Sequence, residues 1–490
     1  MNNNRKTSHW ATPTALGILT VLLLLQGCAV GPDYQAPDTK APDKWQQEVA
    51  ADQIDLQKWW QLLNDPVLDD LINRSTKGNL TLQIAVARLE EARAQLGIAS
   101  GQYWPNFDAV GAYSHQRASD NGLTPGLGTS DLHALGLDAT WEIDAFGRIK
   151  RSVESSQASL QASFEDFRDI QVSLYGEVAI NYILVRALQE RIAYATENIK
   201  LQRQTLQLTK DRRAAELVPE LDVSQAELNL ANTEAAVPVL QTSLTQSINR
   251  LAVLLGTYPG ALQAELNDKK AIPQGPEELL VGLPTELLRQ RPDIRRAERQ
   301  LAAQTAQIGV AKAALYPSFS LSGTFAFEAT KISDLGNWGS RSFSIMPAVR
   351  WNIFDGNRIR NNVRVQESRT QQLLLQYEQT VLGALEEVEG SMVAYLQEKE
   401  RAAALRRSVT ASRKSVDLVN TLYKNGLVDF QNVLDMQRSL ASAEDLLATS
   451  EGQVTQNLVR VYKALGGGWS PNDIRDIIPA PKEQKGEGSM

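Results

Sequence analysis

Between Phe354 and Leu465 the chain has no proline, and Leu374, Val381, Val388, Tyr395, Ala402, Val409, Val416 and Tyr423 recur at every seventh residue. An apolar row with that period belongs to a helix that lies along another helix as a coiled coil. At ~1.5 Å per residue, a helix of this reach is on the order of 100 Å long, several times an ordinary globular helix. The row ends in Tyr423-Lys424-Asn425-Gly426-Leu427-Val428-Asp429, where Asn and Gly accept a left-handed helix cap. A second helix is expected from about Phe430 to Leu465. This stretch therefore reads as a very long helical hairpin turning near Gly426.

The hairpin has a twin. Trp141, Arg148 and Ile149 lie 210 residues before Trp351, Arg358 and Ile359. Leu217-Val218 precedes Leu427-Val428, and Leu255-Gly256 precedes Leu465-Gly466, by the same offset. The seven-residue row recurs too, at Val178, Val185, Ile192, Ile199 and Leu206. An offset held over so long a stretch marks an internal repeat. The first repeat covers residues 65–256 and the second 293–466, joined by a proline-rich connector at 257–292 and followed by a polar tail at 467–490. Each repeat reads as a helix, two strands and a long hairpin. The first helix should run from about Val67 to Gln102, with Asp65 as N-cap and Pro66 at its first position. Copy one has Glu216 where copy two has Gly426, so the two hairpin tips are expected to differ and copy two to move more.

Between helix and hairpin the period changes from seven to two. Leu135, Leu137, Ala139, Trp141 and Ile143 alternate with polar or small residues, and Phe343, Ile345, Pro347, Val349, Trp351 and Ile353 alternate with Ser344, Met346, Ala348, Arg350 and Asn352. Phe319 to Phe327 alternates likewise, and Phe107 to His115 more weakly. Strands are expected at 107–117, 132–145, 317–328 and 342–354, each with one apolar face. They have the length that crosses a bilayer when tilted. A soluble sheet would need helices to cover its apolar face, and the helices here are committed to coiled-coil rows. A barrel must close to satisfy its edges, and four strands enclose no useful bore. Several copies must therefore contribute; three would give twelve strands, and the sequence alone also allows two or four.

The N-terminus carries Arg5 and Lys6, then the apolar run Ala15 to Leu25, too short to span a bilayer. Residues 1–27 read as a signal peptide; their removal takes the net charge from −7 to −9. Leu25-Gln26-Gly27-Cys28 is similar to a bacterial lipobox, which implies cleavage before Cys28, its lipidation, and a lipidated N-terminal segment over 28–64; the alternative is a plain secreted chain. Cys28 is the sole cysteine, and His9, His115 and His133 are the only histidines. That scarcity argues against thiol nucleophiles, thiolate metal sites and histidine-based catalysis, and the acidic balance gives no nucleic-acid footprint. No enzyme activity, metal or cofactor is expected beyond a covalent lipid on Cys28.

Cys28-Ala-Val-Gly-Pro-Asp-Tyr34, Trp59-Trp60, Asp65-Pro66-Val-Leu68-Asp-Asp-Leu71-Ile72, Leu283-Pro284 with Arg291-Pro292-Asp293-Ile294, and Leu315-Tyr316-Pro317 together resemble the TolC-like outer-membrane efflux factors, in the lipoprotein branch of OprM and NodT type. The resemblance covers nearly the whole mature chain. It implies an α+β membrane protein: a homotrimer whose twelve-stranded outer-membrane β-barrel, four strands per chain, continues into a periplasmic α-helical coiled-coil barrel. The expected function is the exit duct of a tripartite pump for drugs and other small toxic compounds. The expected partners are a periplasmic adaptor protein and an inner-membrane transporter of the RND type, with outer-membrane lipid around the barrel. Metal-ion efflux, type I protein secretion and a pore-free structural lipoprotein remain as alternatives.

The resemblance also places a periplasmic gate at the hairpin tips. Asp435 matches a constricting carboxylate, Asn432 a position where some relatives carry a second acid, and Gln431 one often held by an apolar gate residue. Asp222 and Tyr423 match a pair that ties neighbouring hairpins closed. On chemistry alone Asp222 and Asp435 read first as ordinary acids in a first helical turn; the resemblance is what favours a gate role for Asp435 and brings Asp222 level. His115 and His133 read as outer-surface histidines, and Trp59-Trp60 as packing of the N-terminal segment.

Overall fold

The computed structural model describes residues 29–38, 42, 44–47, 56–119, 121, 128–276, 279, 281, 284 and 290–470. Cys28, the signal peptide and nearly all of the polar tail lie outside the described residues. The chain forms two compact units.

The first unit contains residues up to Asp38, Glu90–Ala162 and Ala297–Tyr377. Its centre is an antiparallel sheet of β1 (Asn106–Arg117), β2 (Thr129–Ile143), β3 (Ser318–Ala329) and β4 (Arg341–Arg350), in the order β1-β2-β3-β4. Register fixes the faces. Phe107 pairs with Ala139, Ala139 with Gly323 and Gly323 with Ile345. One step outward, Leu137 pairs with Phe325 and Phe325 with Phe343. All of these side chains share one face, and most of them are exposed in the single chain. The opposite face carries Asp108, Asp138, Ser322, Thr324 and Ser344, with Thr324 donating to Asp138 at 2.8 Å. Gly136 is required on that face, because a Cβ there would stand 2.6 Å from Ala326 Cβ.

β2 starts earlier than the alternation suggests and stops at Ile143, while β4 stops at Arg350 rather than continuing to Phe354. The chain leaves the ladder where a tryptophan is pinned: Trp141 Nε1 donates to Tyr103 O at 3.0 Å, and Trp351 Nε1 to Leu315 O at 3.1 Å. The repeat is thus visible as the same bond made twice. Aspartates then start both long helices. Asp144 accepts from Ile149 N and Lys150 N, and Asp355 accepts from Ile359 N, satisfying amides that have no helical partner.

The segment after Cys28 is clamped in this unit. Val30 N donates to Phe146 O at 3.1 Å. Arg151, 3% exposed, donates to Val30 O at 3.2 Å, Gly31 O at 3.4 Å and Asp33 at 2.7 Å. Gly31 adopts φ 101° with its Cα side against Gly309, an approach that excludes any side chain.

The second unit contains Thr39–Leu89, Ser163–Arg296 and residues from Glu378 on. The expected first helix is two: α1 (Pro66–Gly78) and α2 (Leu80–Gly101). The break at Asn79 is a correction with a tertiary cause. Asn79 Nδ2 donates to Leu254 O at 2.8 Å while its Oδ1 accepts from Leu82 N at 2.9 Å, so one side chain caps α2 and binds the end of another helix. Asp65 caps α1 as the sequence indicates, accepting from Val67 N at 2.9 Å, and Tyr182 also donates to it at 2.6 Å. Trp59 and Trp60 are buried against Tyr462 and Tyr175.

The long helices are α3 (Arg148–Ala214), α4 (Glu220–Leu254), α6 (Arg358–Lys424) and α7 (Phe430–Ala464), with α5 (Pro292–Ala313) before β3. From Val381 to Tyr423 every member of the seven-residue row is buried, as a coiled-coil seam requires. In α3 the row is fully buried at Val178 and Val185 and half-buried beyond. Among the described residues no helix is long and apolar enough to cross a membrane.

Candidate functional site

The two hairpin tips close in the same way. In copy two, Gly426 N donates to Tyr423 O and Leu427 N to Leu422 O, both at 3.0 Å, with Gly426 at φ 74°. In copy one, Glu216 N donates to Arg213 O and Leu217 N to Arg212 O, both at 2.9 Å, with Glu216 at φ 59°. The difference between the tips does not lie in the backbone turn, because a six-to-one amide bond closes each helix whichever residue takes the left-handed position. Glu216 does so at a cost of about 1 kcal/mol.

Copy one and copy two meet in one apolar cluster. Ala226 of α4 packs with Val419 and Tyr423 of α6 and with Phe430, Val433 and Leu434 of α7. The rings of Tyr423 and Phe430 lie 5.6 Å apart. Below them the buried Gln437 donates to Thr205 Oγ1 at 2.7 Å.

Tyr423 is 2% exposed. Burial pushes its hydroxyl pKa up; Thr209 and the Arg212 guanidinium oppose the rise and Asp222 adds to it. Asp222 is half-buried and lies within electrostatic range of Tyr423, with no hydrogen bond between the two. Burial raises the Asp222 pKa, Asp429 raises it further, and Arg212 lowers it. Asp435, Gln431 and Asn432 lie exposed on the first turns of α7. Gln431 Nε2 donates to Asp435 Oδ1 at 3.0 Å, and Asn432 N donates to Asp429 O at 3.2 Å. The structure therefore separates the candidates into a buried Tyr423 with Asp222 beside it and an exposed group of three on α7.

Arg212 is the tip residue that sequence reasoning missed. Its Nη1 donates to Tyr423 O and, at 3.5 Å, to Lys424 O. Its guanidinium sits 4.7 Å from the centre of the Tyr423 ring. One cation from the end of α3 thus meets the last carbonyls of α6, where a positive charge is favoured. The repeat-related position holds Leu422, so the clamp exists once per chain. The available signal was the basic pair Arg212-Arg213 in the last turn of α3, which by itself says nothing about the partner.

Residues 71–257 and 283–467 each match the family described as outer membrane efflux protein. Nodulation protein T of Rhizobium leguminosarum bv. trifolii is 33% identical over 453 residues, covering 92% of this chain and 96% of the relative. The antibiotic efflux pump outer membrane protein ArpC of Pseudomonas putida is 31% identical over 473 residues, covering 94% and 96% respectively. Among solved structures, that of the outer-membrane channel OprN superposes with a TM-score of 0.86 at 38% identity, covering 91% of this chain and all of the other.

Proposed function

The chain belongs to the outer membrane efflux protein family, and from that premise we propose that three copies form one closed exit duct of a tripartite pump for drugs and other small toxic compounds. It is an efflux channel of the outer membrane, and its family is one of transport proteins rather than enzymes. The observation that carries the assembled duct is the sheet. Its order leaves β1 and β4 each with one edge unpaired within the chain, and its apolar face is uncovered, with Phe107, Phe343 and Ile345 about 70% exposed. Open edges cannot stand in hydrocarbon. Pairing β4 of one copy with β1 of the next removes every edge at once, and three copies supply twelve strands. The apolar face then meets lipid and the polar face the lumen, as in other transmembrane barrels.

The hairpins of the three copies continue the wall into the periplasm, with their tips as the gate. Three Asp435 carboxylates around one axis repel each other and attract cations; Gln431 and Asn432 stand on the same helix turns. Arg212 on the Tyr423 carbonyl and the apolar cluster around Tyr423 hold the hairpins together within each chain, with Asp222 in electrostatic range of both. Cys28 carries lipid, and several acyl chains at ~0.8 kcal/mol per buried CH₂ anchor firmly. A periplasmic adaptor engages the hairpins and an inner-membrane transporter of the RND type supplies the energy. The antibiotic efflux role in the name of ArpC supports drugs as cargo.

Planar-bilayer conductance tests the duct. The wild-type protein should conduct weakly and Asp435→Ala more strongly. A folded Asp435→Ala trimer that carries no current under any condition would sink the reading. Mass measurement of the mature N-terminus tests the lipid on Cys28.

A further inference from the structure

The lipid-facing side of the sheet is not evenly filled. Phe107 on β1 and Ile345 on β4 flank Ala139 and Gly323 on the strands between them, so large residues border two small ones. The next row toward the far end of the strands has Leu137, Phe325 and Phe343. Together they shape an apolar trough of about 570 Å³, within the ~300–1,000 Å³ range of small-molecule sites. One end is bounded by Trp338, in the turn before β4, and by Arg341, the first residue of β4. The Arg341 guanidinium stacks 4.7 Å from the Trp338 ring centre and donates to Trp338 O at 2.7 Å.

Arg341 has no carboxylate partner among the described residues. The one acid on this face of the strands is Asp131, and it is held by Tyr113 at 2.9 Å and His115 at 2.6 Å. A guanidinium oriented by a ring and a carbonyl keeps donors for a planar or tetrahedral oxyanion. Arg341 pairs with Phe327 and opens β4 at the end away from Arg350. The long helices start at that other end, Arg358 following Arg350 within a few residues. In the closed barrel Arg341 therefore stands at the level of the outer-leaflet head groups.

We propose that this trough binds a phosphate-bearing lipid of the outer leaflet, one acyl chain over Ala139 and Gly323 and the phosphate on Arg341. The proposal rests on the barrel reading above, since only that reading turns this face to lipid. Phosphate supplies the counter-charge that Arg341 lacks among the described residues, and the chain covers apolar surface that the protein leaves bare. Trp338 holds the guanidinium at the hydrocarbon boundary, where an aromatic ring with a polar edge is stable.

The test is native mass spectrometry of the detergent-purified full-length protein, titrated with lipid A and with lipid A stripped of its phosphates. Inorganic phosphate serves as a competitor. Wild type should prefer the phosphorylated form about tenfold, and inorganic phosphate alone should not displace it. Arg341→Gln should lose that preference while still binding the stripped form. Ala139→Leu should weaken both forms by filling the trough. If Ala139→Leu does not assemble, Ile345→Ala should do the same by removing a wall. Arg350→Gln, on the lumen face, should change nothing. Equal binding of the two lipids by wild type, or an unchanged preference in Arg341→Gln, overturns the site. Conductance of the same preparations separates the two failures: a conducting protein without lipid preference refutes only the lipid site, whereas one that never conducts refutes the barrel.

Discussion

Replacing Arg212 with leucine, the residue of the repeat-related position, should loosen the copy-two tip. Arg212 gives Tyr423 O a charge-assisted hydrogen bond, worth ~1.5–3 kcal/mol when its acceptor is buried. The contact with Lys424 O at 3.5 Å adds little. The guanidinium over the Tyr423 ring contributes ~0.5–1 kcal/mol at a half-exposed site, and the charge at the α6 C-terminus ~0.3–1 kcal/mol. These contributions share one side chain and are not additive. Leucine also restores some apolar cover. A net loss of about 2 kcal/mol follows, which raises the open population of the tip roughly 30-fold. The reporter is the Leu427 amide, bonded to Leu422 O at 3.0 Å; its hydrogen exchange should quicken by that factor while amides deep in α7 keep theirs. Bilayer conductance of Arg212→Leu should rise with it. Arg212→Lys should fall between, because an ammonium lacks the planar stack. An unchanged Leu427 exchange rate in folded Arg212→Leu would refute the clamp.

Asp222 gives the tip a pH dependence. Its folded pKa is raised above the ordinary 3.8, first by burial and then by Asp429. The folded tip therefore binds a proton more readily than the unfolded chain, and stability present below the ordinary value is lost as pH rises through the raised one. Tip amide protection, corrected for intrinsic exchange, should fall as pH rises above 3.8, and Asp222→Asn should flatten that part of the curve. At the other end of the chain, Arg151→Gln should free the segment after Cys28. Asp33 is 88% exposed and rehydrates readily, so the loss is about 2 kcal/mol from the Val30 and Gly31 carbonyls. Val30 amide exchange and proteolytic nicking near Tyr34 should both accelerate, with the sheet amides unaffected.

The tip shows how far the sequence carried the site. Asn425-Gly426 announced the turn, and the seven-residue row led directly to Tyr423, which is buried as its place in the seam demands. Asp435, Gln431 and Asn432 came from a resemblance, and the fold places all three on an exposed stretch of α7. Arg212 was not legible. It reaches Tyr423 across 211 residues, and nothing in its own helix turn names that partner.

Period alone determined the local elements of this protein. A repeat of seven can be satisfied only by helices sharing a seam, and a repeat of two only by strands with unlike faces. The 210-residue offset then required both elements twice. These are local steric and burial rules, so they are written in adjacent residues. What the sequence left open is set by contacts between distant ones. Asn79 breaks a continuous helical pattern because Leu254 O needs a donor. Arg151 holds the first residues after Cys28 because their carbonyls come to rest beside it. Arg212 caps the helix of the other repeat, and Arg341 stands at the end of an apolar trough without a carboxylate among the described residues. Each is a polar group whose partner, or lack of one, exists only once the chain has folded, and burial makes that partner decisive.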